Sequence, residues 1–224
     1  RVRRALLAGI DRDGLADRVY QANATVASQY VQPVVFGYDP GLQPVPHDPA
    51  LARRLMAEAG FENGFEVERG HGLIPEGFVA ALQECLGSIG VRVSPVALPF
   101  PELLERVRAG RIPLMVYSRS CMSGDASEFL DSVIHSPNAA RGYGGENYHG
   151  FTDPAVDRVI EAASAEMDKE RRLAMLQEAQ RLALEQLPVL PLVVQWEHLG
   201  VSGRLDVTTR HDGWLWVASF RPVG

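Results

Sequence analysis

The alternation between residues 61 and 117 constrains the fold of this 224-residue chain more than any other feature. A β-prone run at Phe65-Glu66-Val67 is followed by Phe78, Leu82, Cys85, Leu86 and Ile89, apolar residues at helical spacing that Gly90 brings to an end. Val91-Arg92-Val93 then reads as a second strand, and a helix opening at Pro101 carries Leu103, Leu104 and Val107 before Gly110. Ile112 to Tyr117 is a nearly continuous apolar run, as expected of a strand covered on both faces. The order is βαβαβ. It predicts an α/β layer with right-handed crossovers and a ligand site beyond the carboxyl ends of the strands, where the loop Ser118 to Gly124 falls.

Helix boundaries are written in aspartates. Asp11, Asp48-Pro49, Asp153-Pro154 and Asp168 each precede an apolar-periodic segment, where a short carboxylate accepts from the first free amides and meets the positive end of the helix dipole. They are read as caps, not as catalytic acids. Arg1 to Gly9 has the pattern of an amphipathic helix, and the Asp48 helix stops at Gly60. Downstream come a helix near Asp125 to His135, a loop rich in Gly, Tyr and Asn from Asn138 to Gly150, and helices over Pro154 to Ala165 and Lys169 to Gln186. Pro188 to Val194 reads as a strand, and Gly200 to Gly224 as short strands and turns.

Several function classes are disfavoured. Twenty-two Lys+Arg stand against 28 Asp+Glu, a net charge of −6, and the basic residues are scattered, so nucleic acid is not an expected partner. Arg53-Arg54 and Arg171-Arg172 read as solvated helix faces. No stretch approaches the roughly 20 apolar residues that span a bilayer. Two cysteines, Cys85 and Cys121, provide no disulfide framework and no four-cysteine zinc site; a bonded pair and two free thiols both stay open. Ser118, Ser120 and Ser123 lack a G-x-S-x-G setting, and the six histidines form no H-x-x-x-H or H-E-x-x-H pair. Gly142-Tyr143-Gly144-Gly145 opens no helix and makes a poor phosphate cradle. The expectation is a binding protein, not an enzyme, with no cofactor and no metal.

Longer segments carry a resemblance. Arg3-Arg4-Ala5-Leu6-Leu7-Ala8-Gly9-Ile10-Asp11-Arg12 comes first, then Asp48-Pro49-Ala50-Leu51-Ala52 through Leu55-Met56-Ala57-Glu58-Ala59-Gly60-Phe61 and Asn63-Gly64-Phe65. Leu86-Gly87-Ser88-Ile89-Gly90-Val91, Phe151-Thr152-Asp153-Pro154-Ala155-Val156-Asp157 and Leu187-Pro188-Val189-Leu190-Pro191-Leu192 follow in order. Together they resemble the family 5 extracellular solute-binding proteins, the receptors for peptides, nickel complexes and related solutes of bacterial ABC importers. The resemblance spans essentially the whole chain and about the second half of a usual member.

It implies a periplasmic binding protein-like class II lobe over residues 1–187. It also implies C-terminal strands over 188–224 that return toward a first lobe, the N-terminal lobe being absent from this sequence. The implied partners are a peptide-like or other small solute, a membrane ABC permease and that first lobe. The implied location is periplasmic or extracellular, membrane-associated if the protein is a lipoprotein. A ligand-sensing domain of a bacterial transcription regulator is the alternative that the same architecture allows.

The resemblance also sets the candidate site. In peptide-binding relatives an aspartate after the strand like Ile112 to Tyr117 pairs with the ligand ammonium; aligning Phe129-Leu130 places Met122 there, with Asp125 as a substitute or a plain N-cap. Where some relatives carry an arginine for a ligand carboxylate, His71 falls instead. Arg119 is the useful cation of the expected mouth, with Tyr117 and Ser120 beside it in sequence. Tyr143, Asn147 and Tyr148 are expected to add flat, amphipathic contacts from the glycine-rich loop.

Overall fold

The computed structural model describes residues 1–71, 74–210 and 212–223, and of His71 and Glu76 the backbone only. The chain enters through α1 (Val2–Gly9), α2 (Arg12–Tyr20), the short strand β1 (Ala24–Val26) and α3 (Pro49–Glu58). All four expected caps form. The side chain of Asp11 accepts from the Gly14 amide, Asp48 from Leu51, Asp153 from Ala155 and Val156, and Asp168 from Glu170 and Arg171. Each such cap stabilises its helix by about 1 kcal/mol.

The central layer is built from β2 (Phe65–His71), α4 (Glu76–Ser88), β3 (Val91–Pro95), α5 (Phe100–Arg108) and β4 (Leu114–Val116). The strands are parallel in the order β3-β2-β4, with Phe65 opposite Val91 and His71 opposite Val116. Their common start depends on a glycine. Gly64 has φ +72°, and a Cβ there would stand 1.8 Å from the Gly90 carbonyl, which accepts from the Phe65 amide at 3.2 Å.

The third strand is shorter than its apolar run. Only Leu114–Val116 pairs, along one side, and all three are half-buried, so β4 is an edge strand and not one covered on both faces. Pro113 has no amide to donate, and Ile112 is buried against Leu103 and Val107 of α5 instead.

The rest of the chain runs through α6 (Ser127–Phe129), which widens into a π-helical turn over Leu130–Ile134, then α7 (Pro154–Ala165) and α8 (Lys169–Gln186). The expected regular helix from Asp125 to His135 is thus irregular. The His135 amide donates to the Leu130 carbonyl at 2.8 Å, and the Ser132 hydroxyl takes the Glu128 carbonyl at 2.5 Å. Leu130, Ile134, Val156, Ile160 and Leu176 share one core here, while α1, α3 and α4 share a second with one face of the sheet.

The chain then passes back beside β1. The strand expected over Pro188 to Val194 is confined to β5 (Val193–Gln195), antiparallel to β1, because Pro188 and Pro191 lack the amide a ladder needs. The buried Arg12 takes up the freed backbone, donating to the carbonyls of Ala27 at 3.0 Å, Pro191 at 3.2 Å and Val45. A hairpin of β6 (Leu205–Val207) and β7 (Phe220–Pro222) ends the described chain, in line with the expected short strands. Among the described residues no helix is long and apolar enough to cross a membrane.

Candidate functional site

Beyond the carboxyl end of β4, the loop 118–124 is tied down by backbone. The Phe36 amide donates to Gly124 and the Ala126 amide to Phe36, both at 2.8 Å, which fixes where α6 begins. Asp125 sits at that junction. One of its oxygens accepts from the Ser127 amide at 3.0 Å, and both are held by Arg172, at 2.6 and 3.0 Å. Burial works to raise its pKa, but the Arg172 and Ser127 hydrogen bonds outweigh burial and hold it below the ordinary carboxylate value. Asp125 therefore holds the first amide of the following helix, whose N-cap position is Ala126, and forms one half of an internal ion pair. Arg172 corrects the reading of Arg171-Arg172 as a solvated face: its guanidinium is three-quarters buried, donates also to the Ala163 carbonyl and lies 5.6 Å over the Phe36 ring.

Arg119 is likewise engaged. Its guanidinium makes a two-pronged contact with Glu146 at 2.5 and 2.6 Å, donates to the Ser132 hydroxyl at 3.1 Å and has Glu128 at 3.6 Å. With a fifth of its side chain exposed, it is neither a free cation nor a solvent-facing loop residue. Glu128 in turn accepts from the Ser123 amide at 2.7 Å, so the mouth loop is braced at both Arg119 and Ser123.

The remaining candidates divide into two groups. Tyr117 and Tyr148 meet edge to face, ring centroids 6.3 Å apart, with Arg108 over the Tyr148 ring at 5.2 Å. Burial, then the negative charge of Glu146, pushes the Tyr117 phenol up to about 12, so it remains a hydrogen-bond donor at neutral pH. Ser120 is exposed and Met122 is 46% exposed, both open to a ligand from the same loop. Tyr143 and Asn147 are otherwise employed. Tyr143 stacks on His135 at 4.0 Å, and Asn147 donates to the carbonyls of His135 and Phe151 while accepting from the Phe151 amide. They shape the glycine-rich loop, whose Gly144 and Glu146 amides are pinned to the π-helical turn at Asp131 and Ser132. His71 closes β2, and its side chain lies outside the described residues.

Glu146, Glu128, Ser132 and Arg172 were not legible as members of this region, since each meets its partner only through the fold. Cys85 and Cys121 are buried free thiols, and burial raises the Cys121 pKa. Among the described residues no cluster of three or more His, Cys, Asp or Glu could hold a metal ion.

The sequence profile described as "Bacterial extracellular solute-binding proteins, family 5 Middle" matches residues 1–141. The chain belongs to this family. Relatives within and around the family include the di/tripeptide-binding protein 2 of Pseudomonas aeruginosa, 32% identical over 198 residues that cover 86% of this chain and 37% of that protein. The heme-binding protein A of Haemophilus influenzae is 28% identical over 199 residues, covering 86% and 36%. This family 5 chain thus spans about a third of the length of the curated relatives it matches.

The solved structure of HbpA2 from Haemophilus parasuis superposes with a TM-score of 0.85 at 24% identity, over 99% of this chain and 45% of that one. The dipeptide binding protein of Pseudoalteromonas sp. SM9913 gives 0.81 at 24%, with the same coverage. The α/β fold is that of part of a family 5 periplasmic binding protein, as the resemblance implied.

Proposed function

We propose that this chain provides one wall of the solute site of an ABC-importer receptor, which captures a peptide-like or other small solute by closure of two lobes and delivers it to a membrane permease. In this reading residues 1–187 form the second lobe, and residues 188–224 return to a first lobe of the same protein. Capture takes place in the periplasm or at the extracellular face. The observation that carries the reading is the surface at the carboxyl end of the parallel sheet. There Tyr117 and Tyr148 offer a polar aromatic corner, and the open Ser120 and Met122 follow Tyr117 on a loop whose Arg119 and Asp125 are each ion-paired. Family membership supports a capturing role over a catalytic one, and relatives named for di- and tripeptides favour a peptide-like solute.

The test is a thermal-shift screen of the protein as its gene encodes it, with di- and tripeptides, sugars and metal complexes, beside the variant Tyr148→Ala. Stabilisation by one solute class that weakens roughly tenfold in apparent affinity in the variant, about 1.4 kcal/mol, is expected. An undiminished response in Tyr148→Ala would remove this surface from the site.

A further inference from the structure

Glu146 is fixed through its backbone. Its amide donates to the Ser132 carbonyl at 2.8 Å, and its own carbonyl accepts from the Tyr148 amide at 2.9 Å. Two residues earlier Gly144 stands at φ +69°, where a Cβ would lie 2.6 Å from Pro137, and its amide is bonded to the Asp131 carbonyl. A tight, internally bonded loop thus aims the side chain. Among the described residues its carboxylate makes hydrogen bonds to one partner, Nη1 of Arg119, at 2.6 and 2.5 Å.

Arg119 has support that does not depend on Glu146. Its Nη2 donates to the Ser132 hydroxyl at 3.1 Å and lies 3.6 Å from one oxygen of Glu128, whose other oxygen accepts from the Ser123 amide. Nη1 is the nitrogen that Glu146 takes, with the same head group that a solute carboxylate would bring. The pair of Asp125 and Arg172 is different. Asp125 also accepts from the Ser127 amide and Arg172 also donates to the Ala163 carbonyl, so each holds backbone besides its partner. The Glu146 carboxylate, a third of its side chain exposed, holds no backbone among the described residues. It stands at the aromatic corner: burial raises the phenol pKa of both Tyr117 and Tyr148, and the charge of Glu146 raises and that of Arg119 lowers each.

We propose that Glu146 is a specificity-determining residue of the solute site, occupying Arg119 from within the protein so that a solute carboxylate finds no partner on the mouth loop and the group seated there is uncharged. The proposal rests on the solute-receptor reading above. Without a carboxylate at position 146, Arg119 keeps its place through Ser132 and Glu128 and presents Nη1 to an incoming anion. With only a fifth of the Arg119 side chain exposed, that charge-assisted hydrogen bond forms in a partly dehydrated mouth.

Two measurements on the protein as its gene encodes it compare wild type, Glu146→Gln, Glu146→Ala and the double variant Glu146→Gln with Arg119→Met. The first is the change in melting temperature in sodium acetate against sodium chloride at equal ionic strength. The second is the ratio of apparent affinities for the dipeptides alanyl-glutamate and alanyl-glutamine, which differ in one charge. Both single variants are expected to gain an acetate shift of roughly 1–3 °C over wild type, a gain absent from the double variant. The affinity ratio is expected to move toward alanyl-glutamate by roughly tenfold in the single variants and to stay at the wild-type value in the double variant.

A merely structural contact would lower stability without creating a response to anions. No acetate gain in either single variant, or a gain that survives in the double variant, would overturn the proposal. So would an unchanged affinity ratio for dipeptides that bind, and so would the loss of cooperative melting in both single variants, which would make the pair a folding contact. If the acetate gain appears and depends on Arg119 while no peptide, sugar or metal complex stabilises any form, Glu146 masks Arg119 as stated and the solute-receptor reading is what fails.

Discussion

The segment from Ala126 to Leu187 and the segment from Leu192 to Val223 are built on opposite terms. The first buries Leu130, Ile134, Val156, Ile160 and Leu176 almost completely and pairs its interior charges through Arg172 and Arg119. In the second no described residue is buried; Trp196, Trp214 and Trp216 are each more than half exposed, and Val217 is 87% exposed. A hairpin of two three-residue strands such as β6 and β7 is marginal by itself, so its side chains contribute little stability where they stand. The first segment is packed into a core that it shares with Val31, Val35 and Cys121, whereas the second presents the kind of surface that another part of a protein covers.

The largest expected effect breaks the comparison if it fails. Ile134→Ala removes a side chain at 0% exposure and is expected to destabilise this chain by about 2–5 kcal/mol in urea unfolding. Trp216→Ala, although it deletes a larger side chain, is expected to change stability by less than about 0.5 kcal/mol in the same assay. Equal losses at the two positions would show that the C-terminal segment has a core of its own.

Arg172→Met is an intermediate case. It leaves the Asp125 carboxylate partly buried without its guanidinium, and a loss of about 1–3 kcal/mol is expected at neutral pH. The same loss should shrink in acid. The folded-state pKa of Asp125 is depressed, so its contribution is present above the unfolded value of about 3.8 and fades as pH falls through the lower folded value. Wild type and variant should therefore converge at low pH, and a gap that persists there would separate the destabilisation from the ion pair.

A smaller effect of opposite sign belongs to Asp131, on the π-helical turn. Burial first, and then the negative charge of Asp125, raise its pKa from 3.8 to about 6, and one of its oxygens has no partner among the described residues. Because the folded state binds this proton more tightly, the Asp131 contribution is complete below about pH 3.8 and is lost as pH rises through about 6. Asp131→Asn is expected to flatten that part of the stability profile. A slope unchanged by the substitution would assign the titration to another group.

The same division decides what was legible. Aspartate caps and glycine stops act within three or four residues, so Asp48-Pro49 and Asp153-Pro154 located their helices correctly. Strand ends were overextended at Ile112 and Pro188, where an apolar run continued past the residues whose amides and carbonyls find a neighbour. Charges were harder still. Arg119 meets Glu146 across 27 residues and Arg172 meets Asp125 across 47, separations at which local spacing carries no signal. Tyr143 and Asn147 have the residue types of a binding surface, but the tight glycine-rich loop uses them to satisfy its own backbone and to stack on His135. Arg69 stands inside a strand pattern, and only its burial with no hydrogen-bond partner among the described residues sets it apart.

The proposed solute surface is tested most directly at Met122, one of five methionines in the chain and 46% exposed on the mouth loop. With ¹³C-methyl-labelled methionine, the NMR spectrum of the protein as its gene encodes it would be recorded during titration with whichever di- or tripeptide raises its melting temperature. The Met122 methyl is expected to shift in step with binding, while that of Met56, 1% exposed in the core shared by α1, α3 and α4, stays in place. A saturating solute that leaves the Met122 methyl unmoved would contradict a solute site at the carboxyl end of this sheet.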